Sequence, residues 1–124
     1  MIYLDTHVVV WLYAGDTERL SVPARQHIES NELLVSPIVL LELAYLKELG
    51  RITVDSALIR ETLVQSIGLG LCRQPFARVA VESIGQHWTR DPFDRLIVAQ
   101  ACVSGAKLIT KDRTILENYA HAVW

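Results

Sequence analysis

Apolar residues in this chain come in two kinds of run. Ile2-Tyr3-Leu4, Leu33-Leu34-Val35 and Lys107-Leu108-Ile109-Thr110 are short and bounded by polar residues, as buried strands are. Between them lie longer stretches with helix start and stop signals. Val8 to Tyr13 ends near Gly15, and Ser21-Val22-Pro23 opens a helix to about Asn31. Ser36-Pro37 places a cap and an N1 proline ahead of a helix that Gly50 stops. Asp55 or Ser56 caps an amphipathic helix to Ile67, and Phe76 to Gly85 carries Phe76, Val79, Ala80 and Ile84 on one side. Asp91-Pro92 starts a helix that is apolar on nearly every side, and Asp112 starts a short one. Gly68 to Cys72 reads as an edge strand and His121 to Trp124 as a last strand; Arg51 to Val54 is ambiguous. Short apolar strands alternating with helices predict an α/β sandwich, a parallel sheet with helices on both faces.

Two acids break this pattern. Asp94 shares a helical face with Ile97, Val98 and Ala101, and Glu42 is flanked at helical spacing by Ile38, Val39, Tyr45 and Leu46. A carboxylate on an apolar stripe is costly to desolvate without compensation. A reciprocal cap with Asp91 is one explanation for Asp94, and a core ion pair is one for Glu42. Asp5 and Asp112 directly follow strands, where each alone reads as a helix cap. Parallel sheets, however, gather their chemistry beyond the carboxyl ends of the strands. Asp5, Glu42, Asp94 and Asp112 all fall there. Oxygen-only ligands suit a hard cation such as Mg²⁺ or Mn²⁺. His7, His27, His87 and His121 are scattered without ligand spacing.

Bulk properties narrow the class. The 124 residues make one domain, 1–124, and 51% apolar content fills its core with some to spare for self-association. A formal charge of -2 lacks the basic footprint of a duplex-DNA binder. Cys72 and Cys102 form no zinc or CxxC pattern and read as reduced thiols. Asp5 interrupts the first apolar run, so no signal peptide is expected. The run from Pro37 to Leu46 is too short, and contains Glu42, so no membrane span is expected either. The expectation is a soluble cytoplasmic protein.

Four segments carry a resemblance: Tyr3-Leu4-Asp5-Thr6-His7, Ser36 through Glu42-Leu43, Arg90-Asp91-Pro92-Phe93-Asp94-Arg95 with Ala99 and Ala101, and Ile109-Thr110-Lys111-Asp112. Together, in this order, they resemble the PIN-domain family, specifically the small VapC-like ribonuclease toxins of toxin–antitoxin pairs. The resemblance covers essentially the whole chain. It implies a Rossmann-like three-layer sandwich, a divalent metal, and hydrolysis of phosphodiesters in single-stranded or loop RNA. Asp5, Glu42, Asp94 and Asp112 match the family's acidic quartet, and Thr6, Ser36 and Thr110 match its supporting hydroxyls. On this reading Asp5, Asp94 and Asp112 hold the metal, and Glu42 ligates through water or orients the nucleophile. Arg90, Arg95, Lys111 and Arg113 flank the quartet as candidates for gripping phosphates. Similar proteins often carry His and Arg before Asp91, where this chain has His87-Trp88-Thr89-Arg90. Asp91 itself is expected to be an N-cap. A cognate antitoxin is the implied partner. A homodimer is expected to form through the helices around Asp55–Ile67 and Phe76–Gly85.

Two other readings compete. A phosphoacceptor receiver domain also sets acids and a Thr/Lys pair at strand ends. It needs adjacent acids after the first strand and a lone Asp after a middle one. Here Thr6 follows Asp5, and no Asp ends the run to Cys72. A non-catalytic α/β interaction module, with acids holding a structural cation or a basic partner, is the other alternative.

Overall fold

Strands of two or three residues cannot satisfy their own backbone groups, so they persist only when paired with neighbours. The computed structural model, which describes residues 1–124, solves this with one sheet. Strands β1 (Ile2–Leu4), β2 (Leu33–Val35), β3 (Gly70–Leu71), β4 (Lys107–Ile109) and β5 (Ala122–Val123) pair in the order β3-β2-β1-β4-β5. Every pairing is parallel. Parallel neighbours require crossovers, and these are the helices α1 (Thr6–Ala14), α2 (Val22–Ser30), α3 (Ile38–Glu48), α4 (Ser56–Ile67), α5 (Phe76–Ile84), α6 (Pro92–Ser104) and α7 (Arg113–Asn118). With helices on both faces, β1 is dry throughout: Ile2 and Tyr3 are 1% exposed and Leu4 is 0%.

The chain runs from β1 outward to β2 and β3, and returns to the other side of β1 for β4 and β5. The order therefore reverses at β1. At such a switch point the two neighbouring crossovers diverge and leave a crevice outside the strand ends. Asp5 sits at its floor.

Caps follow the sequence logic closely. Ser21 Oγ accepts from Ala24 N at 3.1 Å, and Asp91 and Asp112 cap α6 and α7. Gly15 (φ 74°) and Gly50 (φ 72°) turn the chain after α1 and α3 through the left-handed region that glycine tolerates. Several expectations shift. The helix after Ser36 starts at Ile38, because Ser36 Oγ is directed mainly to Gln100 and lies 3.4 Å from Ile38 N. Asp55 makes no side-chain cap bond, because its carboxylate pairs with Lys47 instead. A 3₁₀ turn at Thr17–Arg19 fills what the sequence left as a loop, whereas Arg51–Val54 forms no regular element. The outer strands are also shorter than expected, two residues each. No helix is long and apolar enough to cross a membrane.

Candidate active site

The site is assembled by strand ends and the first turns of helices. Asp5 N continues the sheet ladder, donating to Ile109 O at 3.0 Å, which pins the residue where β1 stops. Its carboxylate then does two jobs. Oδ1 accepts from Thr6 N at 2.8 Å, capping α1, and Oδ2 accepts from Thr110 Oγ1 at 2.6 Å. Asp5 is 6% exposed, and burial pushes its carboxyl above the usual range although both hydrogen bonds oppose the shift. Thr110 Oγ1 also accepts from Asp112 N at 3.0 Å, so one buried hydroxyl ties two acids together. Asp112 Oδ1 caps α7 by accepting from Ile115 N at 3.1 Å.

Thr6, fully buried at the start of α1, donates its hydroxyl to the Glu42 carboxylate. This contact spans α1 and α3 and explains how an acid is held on an otherwise apolar helical face. Burial raises the Glu42 carboxyl; the Thr6 bond opposes this, and the charges of Asp5 and Asp91 add to it. Asp94 is the extreme case. Burial first, and then the charges of Asp91, Asp5, Asp112 and Glu42, push its carboxyl up to about 7. The reciprocal cap does not form. Asp91 Oδ1 accepts from Phe93 N at 2.8 Å and Asp94 N at 3.3 Å, but Asp91 N donates to Thr89 Oγ1 at 3.2 Å. The Asp94 side chain is thus left without a protein donor, facing other acids.

These groups line one cleft of about 400 Å³ formed by Asp5, His7, Trp11, Glu42, Leu46, Arg51, Asp91, Asp94, Lys111 and Asp112. The quartet expected from the sequence is therefore brought together, with Thr6 and Thr110 in supporting positions. Asp91 both caps α6 and lines the cleft. His7, Trp11 and Arg51 join the acids in lining the cleft. His7 and Trp11 lie four apart on the helix leaving Asp5, so they share its face; that spacing was the available signal. Arg51 follows α3 in an irregular segment and carried no signal.

Other expected site residues lie elsewhere. Ser36 does not support the quartet: its hydroxyl donates to Gln100 Oε1 at 2.7 Å and borders a separate, mainly apolar cavity of about 270 Å³. The cause is that α3 begins beyond Ser36 and turns its side chain toward α6. Arg95 Nε donates to Thr89 O at 2.7 Å, bracing the segment before α6 rather than entering the cleft. Arg90 and Arg113 are exposed and do not line it. Of the four expected phosphate-gripping cations, only Lys111 does.

No three His, Cys, Asp or Glu side chains form a ready-made metal cage. Mg²⁺ does not need one, since it keeps several waters and takes one or two direct carboxylates. The donor set is all oxygen, and Asp94 carries a half-buried carboxylate that no protein group compensates. A hard divalent cation fits that deficit.

Comparisons with known proteins agree with this arrangement. Residues 2–121 match the PIN domain family. The chain is 33% identical to Ribonuclease VapC22 of Mycobacterium tuberculosis over 126 aligned positions, covering 97% of this chain and 92% of that protein. Its fold is similar to that of a toxin–antitoxin complex from Klebsiella pneumoniae, with a TM-score of 0.68, 18% identity, and coverage of 100% of this chain and 97% of the other. It is also similar to VapBC2 from Rickettsia felis, solved bound to a DNA fragment from their promoter, with a TM-score of 0.66, 16% identity, and coverage of 99% and 96%. At such identities these two structures establish the fold alone. With a family match spanning nearly every residue and a parallel sheet that gathers its acids at the switch point, the chain is a member of the PIN domain family.

Proposed function

We propose that this protein is a divalent-metal-dependent endoribonuclease, acting as the toxin of a toxin–antitoxin pair and hydrolysing phosphodiesters in single-stranded or loop RNA. The observation that carries the reading is the cleft in which Asp5, Glu42, Asp94 and Asp112 meet with no ion pair to any of them. The similarity to a ribonuclease supports the substrate class, and the likeness in fold to a toxin–antitoxin complex supports the partner.

In this reading Asp5, Asp94 and Asp112 would hold Mg²⁺ or Mn²⁺, one or two of them directly and the rest through the ion's waters. When bound, the cation supplies an activated water and neutralises charge on the scissile phosphate. The chain's own contribution is placement. Thr110 and the Thr6 amide lock the Asp5 carboxylate, so its oxygens are set before substrate arrives. Glu42, aimed by Thr6, orients the attacking water. Single strands are the expected substrate because only unpaired RNA can present a backbone to a cleft this size. A cognate antitoxin would cover the acidic rim with a basic side chain. A homodimer would bury apolar residues that α4 and α5 leave exposed, including Leu58, Val64, Phe76 and Ile84.

The test is cleavage of single-stranded RNA with Mg²⁺ or Mn²⁺, against EDTA and against Asp94→Asn. Cleavage should need the metal and vanish in the variant. Wild-type cleavage that persists in excess EDTA overturns the metal mechanism.

A further inference from the structure

The acidic cleft contains an indole and two cations that the hydrolytic chemistry leaves unused. Trp11 is half-buried on the face of α1 that leads away from Asp5. It meets Trp124 in a T-shaped arrangement, with centroids 5.9 Å apart, and His7 at a 48° tilt, 6.2 Å away. Neither neighbour lies parallel to the indole, and Trp124 braces it against tilting. Lys111 Nζ and Arg19 Cζ both lie over the ring, 5.9 Å and 6.0 Å from its centroid and within cation–π range. Of these two only Lys111 lines the cleft, so an entering base would take its place on the ring and release it toward a phosphate. Arg51 lines the cleft from the segment after α3, which follows β2, and Lys111 lines it from the segment after β4. These two strands flank β1, so the cations reach the cleft from segments on separate arms of the sheet.

Neither cation is paired. The ion pairs of the structure are Arg19–Asp16 and Lys47–Asp55, so Arg51 and Lys111 line a cleft with five carboxylates yet contact none of them. An indole bearing a displaceable cation, with a second unpaired cation lining the same cleft, is the combination that grips unpaired nucleotides. Bases stack on aromatic faces, and cations track the backbone.

We propose that Trp11, Lys111 and Arg51 form a nucleotide-binding subsite. One unpaired base beside the scissile bond stacks on Trp11, while Lys111 and Arg51 pair with neighbouring phosphates. This deepens the ribonuclease reading and rests on it. It also sets a specificity: the subsite admits a splayed base and excludes a stacked helical strand.

The test begins with an RNA oligonucleotide that wild type cleaves, selected from a randomised single-stranded pool. Trp11→Leu, which keeps an apolar side chain against Trp124, should raise KM about 5- to 100-fold, the worth of one stacked base, with kcat nearly unchanged. Arg51→Gln should raise KM less, and should make log(kcat/KM) depend less steeply on log salt by about 0.7, one phosphate contact. Scanning a single abasic nucleotide along the oligonucleotide should find one position that costs wild type as much as Trp11→Leu does. That position should cost Trp11→Leu nothing further. A Trp11→Leu variant that retains the wild-type melting point and KM overturns the subsite, as does an abasic penalty that persists undiminished in it. Absence of cleavage by wild type across the whole pool, with either metal, removes the ribonuclease reading and this subsite with it.

Discussion

Two polar regions penetrate the interior of this protein, and they are built on opposite principles. Under α5 and α6, Ser36 donates to Gln100, Gln74 bridges Gln100 and Ser104, and Tyr3 joins Ser104 at 2.9 Å and Cys72 at 2.8 Å. Every group there is neutral, and no buried side-chain nitrogen or oxygen in the molecule lacks a partner. Burial even holds the Tyr3 phenol protonated, pushed up to about 12. At the end of β1 the groups are acids instead. Their carboxyls are raised by burial and mutual repulsion, and the nearby cations stay unpaired. The first region satisfies itself and so specifies packing. The second holds three of its acids by hydrogen bonds but leaves Asp94 without a donor and the shared negative charge unpaired, which is the physical mark of a working site.

The largest expected effects separate the two regions by activity. Asp5→Asn should lower RNA cleavage roughly a thousandfold, the several kcal/mol that metal-held charge supplies, with an unchanged circular dichroism spectrum. Ser36→Ala should leave cleavage near wild type but cost about 1–3 kcal/mol of stability, because Gln100 loses its buried donor. Urea unfolding measures the second effect. A large loss of activity in a folded Ser36→Ala protein would join the two regions into one.

A smaller effect has the opposite sign in the two regions. Removing a charge from the cleft should stabilise the metal-free protein, since Asp94 meets like charges from Asp91, Asp5, Asp112 and Glu42. The relief is on the order of 1 kcal/mol at an effective dielectric near 20. Asp94→Asn should therefore melt a few degrees above wild type in EDTA, and Mg²⁺ should raise the wild-type melting point more than the variant's. A lower melting point for Asp94→Asn in EDTA would contradict the repulsion.

The pH dependence tests the same charges without a mutation. Asp94 has a folded pKa of about 7 against an ordinary 3.8, so the native state holds its proton more tightly. Its contribution is fully present below the ordinary value and is lost as pH rises through 7. Asp5 and Glu42 shift in the same direction. In EDTA, thermal scans should show higher stability at about pH 5 than at about pH 8. With saturating Mg²⁺, which needs ionised carboxylates, the trend should reverse. The smallest effect is expected at Asp91. Asp91→Asn keeps a good cap and should retain substantial activity, measured by the same RNA assay.

Much of this architecture was legible in the sequence. Residues 2–4, 33–35 and 107–110 read as buried strands because each is short, apolar and bounded by polar residues. Asp91-Pro92 and Asp112 marked helix starts through local hydrogen bonding and proline geometry. Asp94 and Glu42 stood out because each put a charge on an apolar stripe. Such signals are local, carried by residues within a turn or two of one another, and local order survives in a one-dimensional record.

What only the tertiary structure decided was which side chains meet across the sheet. Ser36 and Thr110 looked equivalent, small hydroxyls at strand ends. Register sends Thr110 to Asp5 and Asp112, while the late start of α3 sends Ser36 to Gln100. Lys111 and Arg95 looked interchangeable as cations flanking the quartet, yet Lys111 lines the cleft and Arg95 is spent on the Thr89 carbonyl. Asp94 showed its anomaly in sequence, but its proton affinity depends on its burial first and then on four carboxylates from other turns and other elements. Coulomb energy depends on separation in space, and separation in space follows from strand order and register, which no local pattern contains.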